Sequence, residues 1–169
     1  MMNVLETIQA RQSIRAYQPR DLEAPELETI LQAANQAASA ANLQAYQIYV
    51  VRNQTVKDAL AAAAAGQKFL ATAPVVLVFA TDPSRSGAKF GKRGEQVYAM
   101  QDTCAAVCNA MLAAVALGLG TCWVDAVDEA AAGRAIHLPA NQRAAGPPPI
   151  GYPAGDPPRP PRRGLAAEL

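Results

Sequence analysis

Two arginines flank a serine near the start of the chain, where residues 11–15 are Arg-Gln-Ser-Ile-Arg. Polar and apolar residues alternate in this segment, and alternate residues of an extended backbone share one side. Arg11, Ser13 and Arg15 are therefore expected to point one way, while Ile14 faces the core. Guanidinium groups match phosphate oxygens in bidentate fashion, and a serine hydroxyl adds another donor. The pattern indicates a phosphate site, and it fits a solvated basic stretch before a turn at least as well.

Ser39, Asn42 and Gln44 form a second polar group, which follows a helical pattern and precedes a strand pattern. Asparagine and glutamine side chains each carry a donor and an acceptor. Such carboxamides suit an N–H group that lies between two carbonyls, as on the edge of a pyrimidine ring. A polar loop between a helix and a strand explains the same residues without a ligand.

Residues 118–123, Gly-Leu-Gly-Thr-Cys-Trp, form a third candidate group. Glycines allow the backbone to approach a ligand closely, so that backbone N–H groups can bond it directly. The spacing matches neither a dinucleotide fingerprint nor a P-loop. A glycine stop of a helix before a core strand is an alternative that can hold at the same time. Cys122 has no base in sequence reach and is interpreted as a buried structural thiol.

Three arginines near the C-terminus, Arg159, Arg162 and Arg163, are either solvated charges or a second anion clamp on a tail that folds back. The single histidine, His137, excludes a zinc site built on two histidines, and it is interpreted as the end of a helix. Cys104 and Cys108 lie one helical turn apart and are interpreted as core residues rather than metal ligands.

The composition excludes several classes of protein. The 169 residues carry 15 basic and 14 acidic side chains, which argues against nucleic acid or an anionic membrane as partner. The odd count of three cysteines favours a reduced, cytoplasmic compartment. The N-terminus does not resemble a signal peptide. Residues 104–124 carry no formal charge, but they are alanine-rich with Asn109 inside, which favours a core helix over a membrane span.

Hydrophobic periodicity predicts an α+β chain with helices and strands around one sheet. The Pro-rich end, 146–161, contains eight prolines and is expected to run extended over the surface or along a partner subunit. Residues 82–94, with three glycines, are predicted to be a loop that could act as a mobile lid. Helices are predicted from Asn3-x-x-Glu6, from Pro25 to Ala38, and at 54–65, 95–117 and 128–136; strands at 46–51, 75–80 and 121–124.

In this order the segments resemble the nitroreductase family of FMN-dependent oxidoreductases, and the resemblance covers nearly the whole chain. It rests on five short motifs in register. These are residues 11–17, residues 37–44, Asp102 with the alanine-rich helix to Leu117, residues 118–123, and Ile-Gly-Tyr-Pro at 150–153 with an arginine before the C-terminal Leu-Ala-Ala-Glu-Leu.

The resemblance implies a nitroreductase-like α+β sandwich, with a central mixed sheet flanked by helices and with FMN at the interface of an obligate homodimer. One domain would cover residues 1–169, with 146–169 as an extended Pro-rich tail. Arg11, Ser13, Arg15 and Arg162 would hold the phosphate and ribityl chain, with Gln12 and Arg163 beside them. Ser39, Asn42 and Gln44 of the partner subunit, and the backbone of Thr121, Cys122 and Trp123, would approach the isoalloxazine ring.

The implied activity is hydride transfer from NADH or NADPH through FMN to a nitroaromatic, a quinone or a similar small acceptor, in a ping-pong cycle. Because the cofactor carries the chemistry, no catalytic side chain and no metal are expected. A flavin-binding or flavin-processing protein without this activity is an alternative, since a fold does not fix a function. A non-flavin interaction protein, with 95–117 as a dimer helix, is another.

Two departures from the family pattern carry expectations of their own. Ala45 and Tyr46 replace a common Pro-Trp pair, and Tyr46 is expected to keep an aromatic wall at the site. Residues 146–149, Gly-Pro-Pro-Pro, replace an apolar strand. Proline has no ladder donor, so this strand is expected at a sheet edge or not at all.

Overall fold

The computed structural model describes residues 2–164, which contain seven α-helices and five strands. The C-terminal Leu-Ala-Ala-Glu-Leu, the last part of the predicted tail, lies outside the described residues. The helices are α1 (Val4–Ala10), α2 (Ala24–Asn35), α3 (Gln54–Ala63), α4 (Phe69–Thr72), α5 (Pro83–Arg93), α6 (Ala99–Ala116) and α7 (Glu129–Ala135). The strands are β1 (Tyr46–Val51), β2 (Val75–Thr81), β3 (Gly120–Thr121), β4 (Arg143–Ala144) and β5 (Pro149–Gly151).

The sheet has the strand order β1-β2-β5-β3, with β4 paired to β2, and its strand pairs are antiparallel. Strand β2 is buried along its whole length because both faces of the sheet are covered. Val75, Leu77 and Phe79 face a cluster with α2 and α6. Val76 and Val78 face a second cluster with α3 and α7. The α+β class is confirmed.

Local signals place most element ends close to where the sequence predicts them. At α1, Asn3 and Glu6 form the predicted capping box, with reciprocal bonds of 3.0 and 2.8 Å. Strand β1 has the predicted bounds, and β2 is one residue longer than predicted. The strand prediction at 121–124 is wrong, because β3 covers only Gly120–Thr121.

The prediction that residues 82–94 form a loop is wrong. Asp82 caps α5 by accepting the Arg85 N–H at 3.1 Å, and Pro83 occupies the first turn. The glycines serve packing and chain reversal instead of disorder. Gly91 has φ 56° and ψ −148°, a region open mainly to glycine, and it turns the chain into the π-helical segment Gly94–Tyr98. A Cβ on Gly94 would lie 2.4 Å from the Ser86 carbonyl oxygen.

The expectation for the Pro-rich strand is also wrong, because β5 lies inside the sheet between β2 and β3. Proline lacks an N–H group but keeps its carbonyl acceptor. Strand β2 therefore donates here, from Leu77 N–H to the Pro148 carbonyl at 3.0 Å and from Phe79 N–H to the Gly146 carbonyl at 3.4 Å. The interior strand survives because its neighbour supplies the donors.

Helix α6 ends the helical stretch Pro83–Ala116, which is long and apolar enough to cross a membrane by length and composition. Nine of its 18 residues are buried, and it packs against α2 and the sheet. This burial is that of a core helix. At its end Gly118, with φ 79°, stops the helix, and Leu119 N–H bonds the Ala114 carbonyl at 2.9 Å. The helix-stop interpretation of this glycine is confirmed.

Candidate functional site

The first and third sequence groups meet at the edge of the sheet. Ser13 forms a parallel bridge with Thr121, and Ile14 N–H donates to the Thr121 carbonyl at 2.9 Å. Ile14 is buried as predicted. A Cβ on Gly120 would lie 2.7 Å from the Ile14 side chain, so this glycine allows the two backbones to lie together. Gly120 thus allows close contact with Ile14 of the same chain, and this contact does not involve a ligand.

A cleft of about 840 Å³, called here the N-terminal cleft, lies over this segment. Arg11, Ser13 and Arg15 all line it, in agreement with their predicted common side. Gln12 lines it too. Arg162 reaches it from the tail, whereas Arg163 is exposed and is not among its lining residues. The cleft therefore gathers four arginines, Arg11, Arg15, Arg159 and Arg162, and the Ser13 hydroxyl, and such donors suit a phosphate group.

The tail folds back over this cleft, as a second anion clamp would require, but its first arginine binds backbone carbonyls. Arg159 donates to the carbonyl oxygens of Gln9 and, at 2.5 Å, of Ala10, which end helix α1. Gln12 donates to the Asp156 carboxylate. Arginine at a helix C-terminus satisfies carbonyls that the helix leaves unbonded. These contacts hold the segment that carries Arg162.

Residues 121–123 differ in what they expose. The Thr121 hydroxyl is fully buried and has no hydrogen-bond partner within residues 2–164. Cys122 is buried in the cluster with Val76 and Val78, and its thiol contacts the Trp123 carbonyl at 3.4 Å, which confirms the structural-thiol interpretation. Trp123 is half-buried, and its indole N–H donates to Asp125. The Cys122 side chain is therefore not available to a ligand.

Residues 39–45, called here the 39–45 loop, have an unusual backbone. Ala41, Asn42 and Gln44 have positive φ values of 49°, 57° and 46°. Residues other than glycine rarely adopt positive φ values, so the surrounding contacts must hold the loop in this conformation. Gln44 N–H donates to the Ser39 hydroxyl at 3.1 Å, and the Gln44 amide donates to the Asn42 side chain at 2.8 Å. Ser39, Asn42 and Gln44 thus form one polar group, but none of them lines the N-terminal cleft.

Tyr46 does not form the expected aromatic wall. Its side chain is buried in the main core, and its hydroxyl donates to the Ala34 carbonyl at 3.1 Å. Burial, and then the nearby Asp102 carboxylate, raise the pKa of Tyr46 above its ordinary value. The Tyr46 ring thus belongs to the core, and its backbone N–H donates to the Gln44 carbonyl of the loop at 2.7 Å.

Two further residues contact the 39–45 loop, and the sequence analysis names neither as a site residue, although Asp102 belongs to one of its motifs. The buried Asp102 carboxylate accepts the Ala40 N–H at 2.9 Å. Arg85 donates to the Gln44 carbonyl at 2.8 Å and lies 3.6 Å from Asp82. A signal existed only for Asp102, which is the one charged residue in helix α6. Arg85 lies in α5, within the segment that the sequence predicts to be a loop, and no sequence pattern marks it.

Comparison with known proteins gives a consistent picture. The model of the nitroreductase family matches residues 8–68 and 63–152. A protein of Archaeoglobus fulgidus is 34% identical over 124 residues, which are 73% of this chain and 68% of that one. A Bacillus subtilis protein named FMN reductase (NADPH) is 28% identical over 138 residues, 75% of this chain and 55% of that one.

Solved structures are similar over most of the chain. A nitroreductase family protein from Clostridium novyi has a TM-score of 0.82 at 27% identity, covering 90% of this chain and 86% of that one. Nitroreductase A from Vibrio parahaemolyticus has a TM-score of 0.86 at 25% identity, covering 100% of this chain and 79% of that one. The sheet with its flanking helices is thus a known arrangement.

Proposed function

This chain belongs to the nitroreductase family, and from that membership we propose that it is an FMN-dependent oxidoreductase that uses NADH or NADPH to reduce a small electron acceptor. Relatives named FMN reductase and NADPH nitroreductase support this activity. The structural observation that carries the proposal is the bridge between Ser13 and Thr121, which joins an arginine-lined cleft to the glycine-rich strand.

The residues present fit FMN. Its phosphate is a dianion, and Arg11, Ser13, Arg15 and Arg162 are a donor set of matching charge around one cleft. The buried Thr121 hydroxyl, which lacks a partner among the described residues, lies beside this cleft on β3. A buried hydroxyl is costly to leave unbonded, so a ligand acceptor near it is favoured.

When bound, FMN supplies the hydride chemistry, and the chain supplies binding and orientation. Arg11, Arg15 and Arg162 would neutralise the phosphate and fix one end of the cofactor. Backbone groups of residues 121–123 would meet the ring. We assign no general acid or base and no metal ligand to the reaction, which is expected to be ping-pong with a nitroaromatic, a quinone or a similar acceptor.

The 39–45 loop would complete the site from a second copy of the chain. Its polar group lies outside the N-terminal cleft of its own chain, so a partner subunit is the natural source of ring contacts. Helix α1 carries an apolar face that would pack in such a homodimer: Val4, Leu5 and Ile8 are 72%, 71% and 52% exposed. It lies against α6, whose Cys108 is also exposed. Sedimentation of the purified protein would test this: a monomer at micromolar concentration contradicts the shared site.

An anaerobic absorbance spectrum, recorded before and after addition of NADPH and then NADH, tests the activity. Bleaching of the flavin bands is expected, and the faster donor identifies the nicotinamide preference. Flavin bands that persist with both donors would favour a flavin-binding or flavin-processing role. A protein that retains no flavin bands after incubation with FMN and removal of the unbound cofactor would overturn the proposal. We place the enzyme in the cytoplasm, where both donors are available.

A further inference from the structure

We propose that Asp102 is a positioning residue for the cofactor, because its carboxylate holds the 39–45 loop in the conformation that presents Ser39, Asn42 and Gln44. This inference rests on the proposed FMN-dependent function and adds a residue to it. Asp102 lies in the first turns of α6 and is 4% exposed. A carboxylate buried to this extent needs hydrogen-bond donors around it.

The donors come from the two ends of the loop. One carboxylate oxygen accepts the Ala40 N–H at 2.9 Å, and the other faces the Ala45 N–H at 3.5 Å. Ala40 opens the 3₁₀ turn Ala40–Asn42, and Ala45 directly precedes strand β1. One side chain thereby contacts both ends of the six-residue span 40–45.

The backbone between these ends needs such an anchor. Ala41, Asn42 and Gln44 each carry a positive φ, a conformation that costs free energy for residues other than glycine. Released from Asp102, the segment would relax toward ordinary φ values, and the Asn42 and Gln44 side chains would lose their shared orientation. The carboxylate thus maintains this strain together with the Ser39 hydroxyl and Arg85, and it is the contact that reaches both ends of the loop.

The charge of Asp102 has no ion-pair partner within residues 2–164. Its bonds to backbone amides are of the charge-assisted kind, which are stronger than neutral ones. Tyr46 lies close enough for the Asp102 charge to raise its pKa, after the larger effect of burial, while its hydroxyl is committed to Ala34. The hydrogen bonds of the Asp102 carboxylate thus go to the loop. Asp102 is not among the residues that line the N-terminal cleft.

The test compares Asp102→Asn and Asp102→Ala with the wild-type protein. Asparagine has nearly the same size, but its amide nitrogen would face one of the two N–H groups. Three readouts are measured: amide hydrogen exchange at Ala40 and Ala45 without cofactor, FMN dissociation constants from fluorescence quenching, and visible circular dichroism of the bound flavin. We expect faster exchange at both amides and a loss of FMN affinity of about 10- to 100-fold, the range for a hydrogen bond to a charged group.

Thr103→Val is the matched control. Thr103 is the next residue of α6 and equally buried, but its hydroxyl donates within the helix, to Ala99 at 2.7 Å. It should leave exchange at Ala40, FMN affinity and the dichroism unchanged. If it weakened FMN binding as much as Asp102→Asn does, the positioning role would be wrong.

A second variant approaches the same bond from the loop. Ala40→Pro removes the N–H donor while Asp102 stays in place, and Ser39 has an extended backbone (φ −143°, ψ 153°) that accepts a following proline. It should weaken FMN binding as Asp102→Asn does. If the Asp102 variants do not fold, Ala40→Pro still tests the inference. Wild-type affinity in these variants contradicts the inference while the proposed function stands. A wild-type protein that binds no FMN ends the proposed function, and amide exchange then decides the anchoring alone.

Discussion

Residues 11–15 are held against strand β3 by backbone pairing, whereas the 39–45 loop is held by the side chains of Asp102 and Arg85. The first segment keeps an extended backbone, so Arg11, Ser13 and Arg15 face the cleft, while Gln12 is bonded to Asp156. The second has positive φ values at three residues and depends on anchors from other helices. The proposed site would thus combine a segment fixed by the sheet with a loop of the second copy fixed by charge, and the two should respond differently to mutation.

The largest effect is expected on the side of the arginines. Arg11→Ala with Arg15→Ala should weaken FMN binding by several kcal/mol, since charge-assisted hydrogen bonds contribute about 1.5–3 kcal/mol each. Isothermal titration calorimetry measures the change. Arg134→Ala, at an exposed arginine of α7 far from the cleft, is the control and should bind FMN normally. Normal flavin occupancy in the double variant would remove these arginines from the site.

A methyl group on Gly120 tests whether backbone contact holds residues 11–15. Gly120→Ala would place a carbon 2.7 Å from Ile14 and should lower the free energy of unfolding by about 1–3 kcal/mol, as overpacking does. Urea denaturation gives the value. Gly155→Ala has open space around it and should be neutral. A stable Gly120→Ala variant would show that the segment is not pinned at this point.

Arg85 provides a smaller test of the anchors on the loop. Arg85→Gln removes the bond to the Gln44 carbonyl, and FMN affinity should fall by about 1 kcal/mol, the contribution of one partly exposed hydrogen bond. Lys89→Gln, one turn further along α5, is the control of equal charge change. Equal effects of the two variants on the FMN dissociation constant would point to general charge and against a specific anchor.

The smallest expected effect is on stability, and it compares a glycine substitution in the strained loop with one in an ordinary helix. Ala41 is exposed with φ 49°, so Ala41→Gly relieves strain while it adds freedom to the unfolded chain, and stability should change by less than about 0.5 kcal/mol. Ala59→Gly, exposed in the middle of α3, should cost about 1 kcal/mol. Thermal unfolding of both variants gives the comparison. An equal loss at both positions would contradict a strained loop.

Sequence patterns predict the features that depend on neighbours along the chain. The β-branched and aromatic runs give β1 and β2 nearly to the residue, and Asn3 with Glu6 gives the start of α1. Alternation in residues 11–15 predicts both the buried Ile14 and the common side of its flanking polar residues. These features follow from local geometry and need no knowledge of the rest of the fold.

Features that depend on distant partners could not be obtained in this way. The three glycines of 82–94 indicate a loop, because nothing in the sequence shows that Gly94 packs closely against Ser86. The prolines before β5 predict a strand at the edge of the sheet, because the sequence does not show that β2 supplies the hydrogen-bond donors to this strand. The role of Asp102 depends on the Ala40 amide, 62 residues away in sequence. Burial of an acidic side chain is a tertiary property, and composition does not carry it.

The central claim is that the N-terminal cleft holds the phosphate of FMN, and comparison of FMN with riboflavin tests it most directly. The two ligands share the ring and the ribityl chain and differ only in the phosphate. Fluorescence titration of the flavin-free protein should show FMN binding at least about 100-fold more tightly, since two or more charge-assisted bonds are lost with riboflavin. Equal dissociation constants for the two ligands would show that residues 11–15 do not form a phosphate site, and would contradict the account.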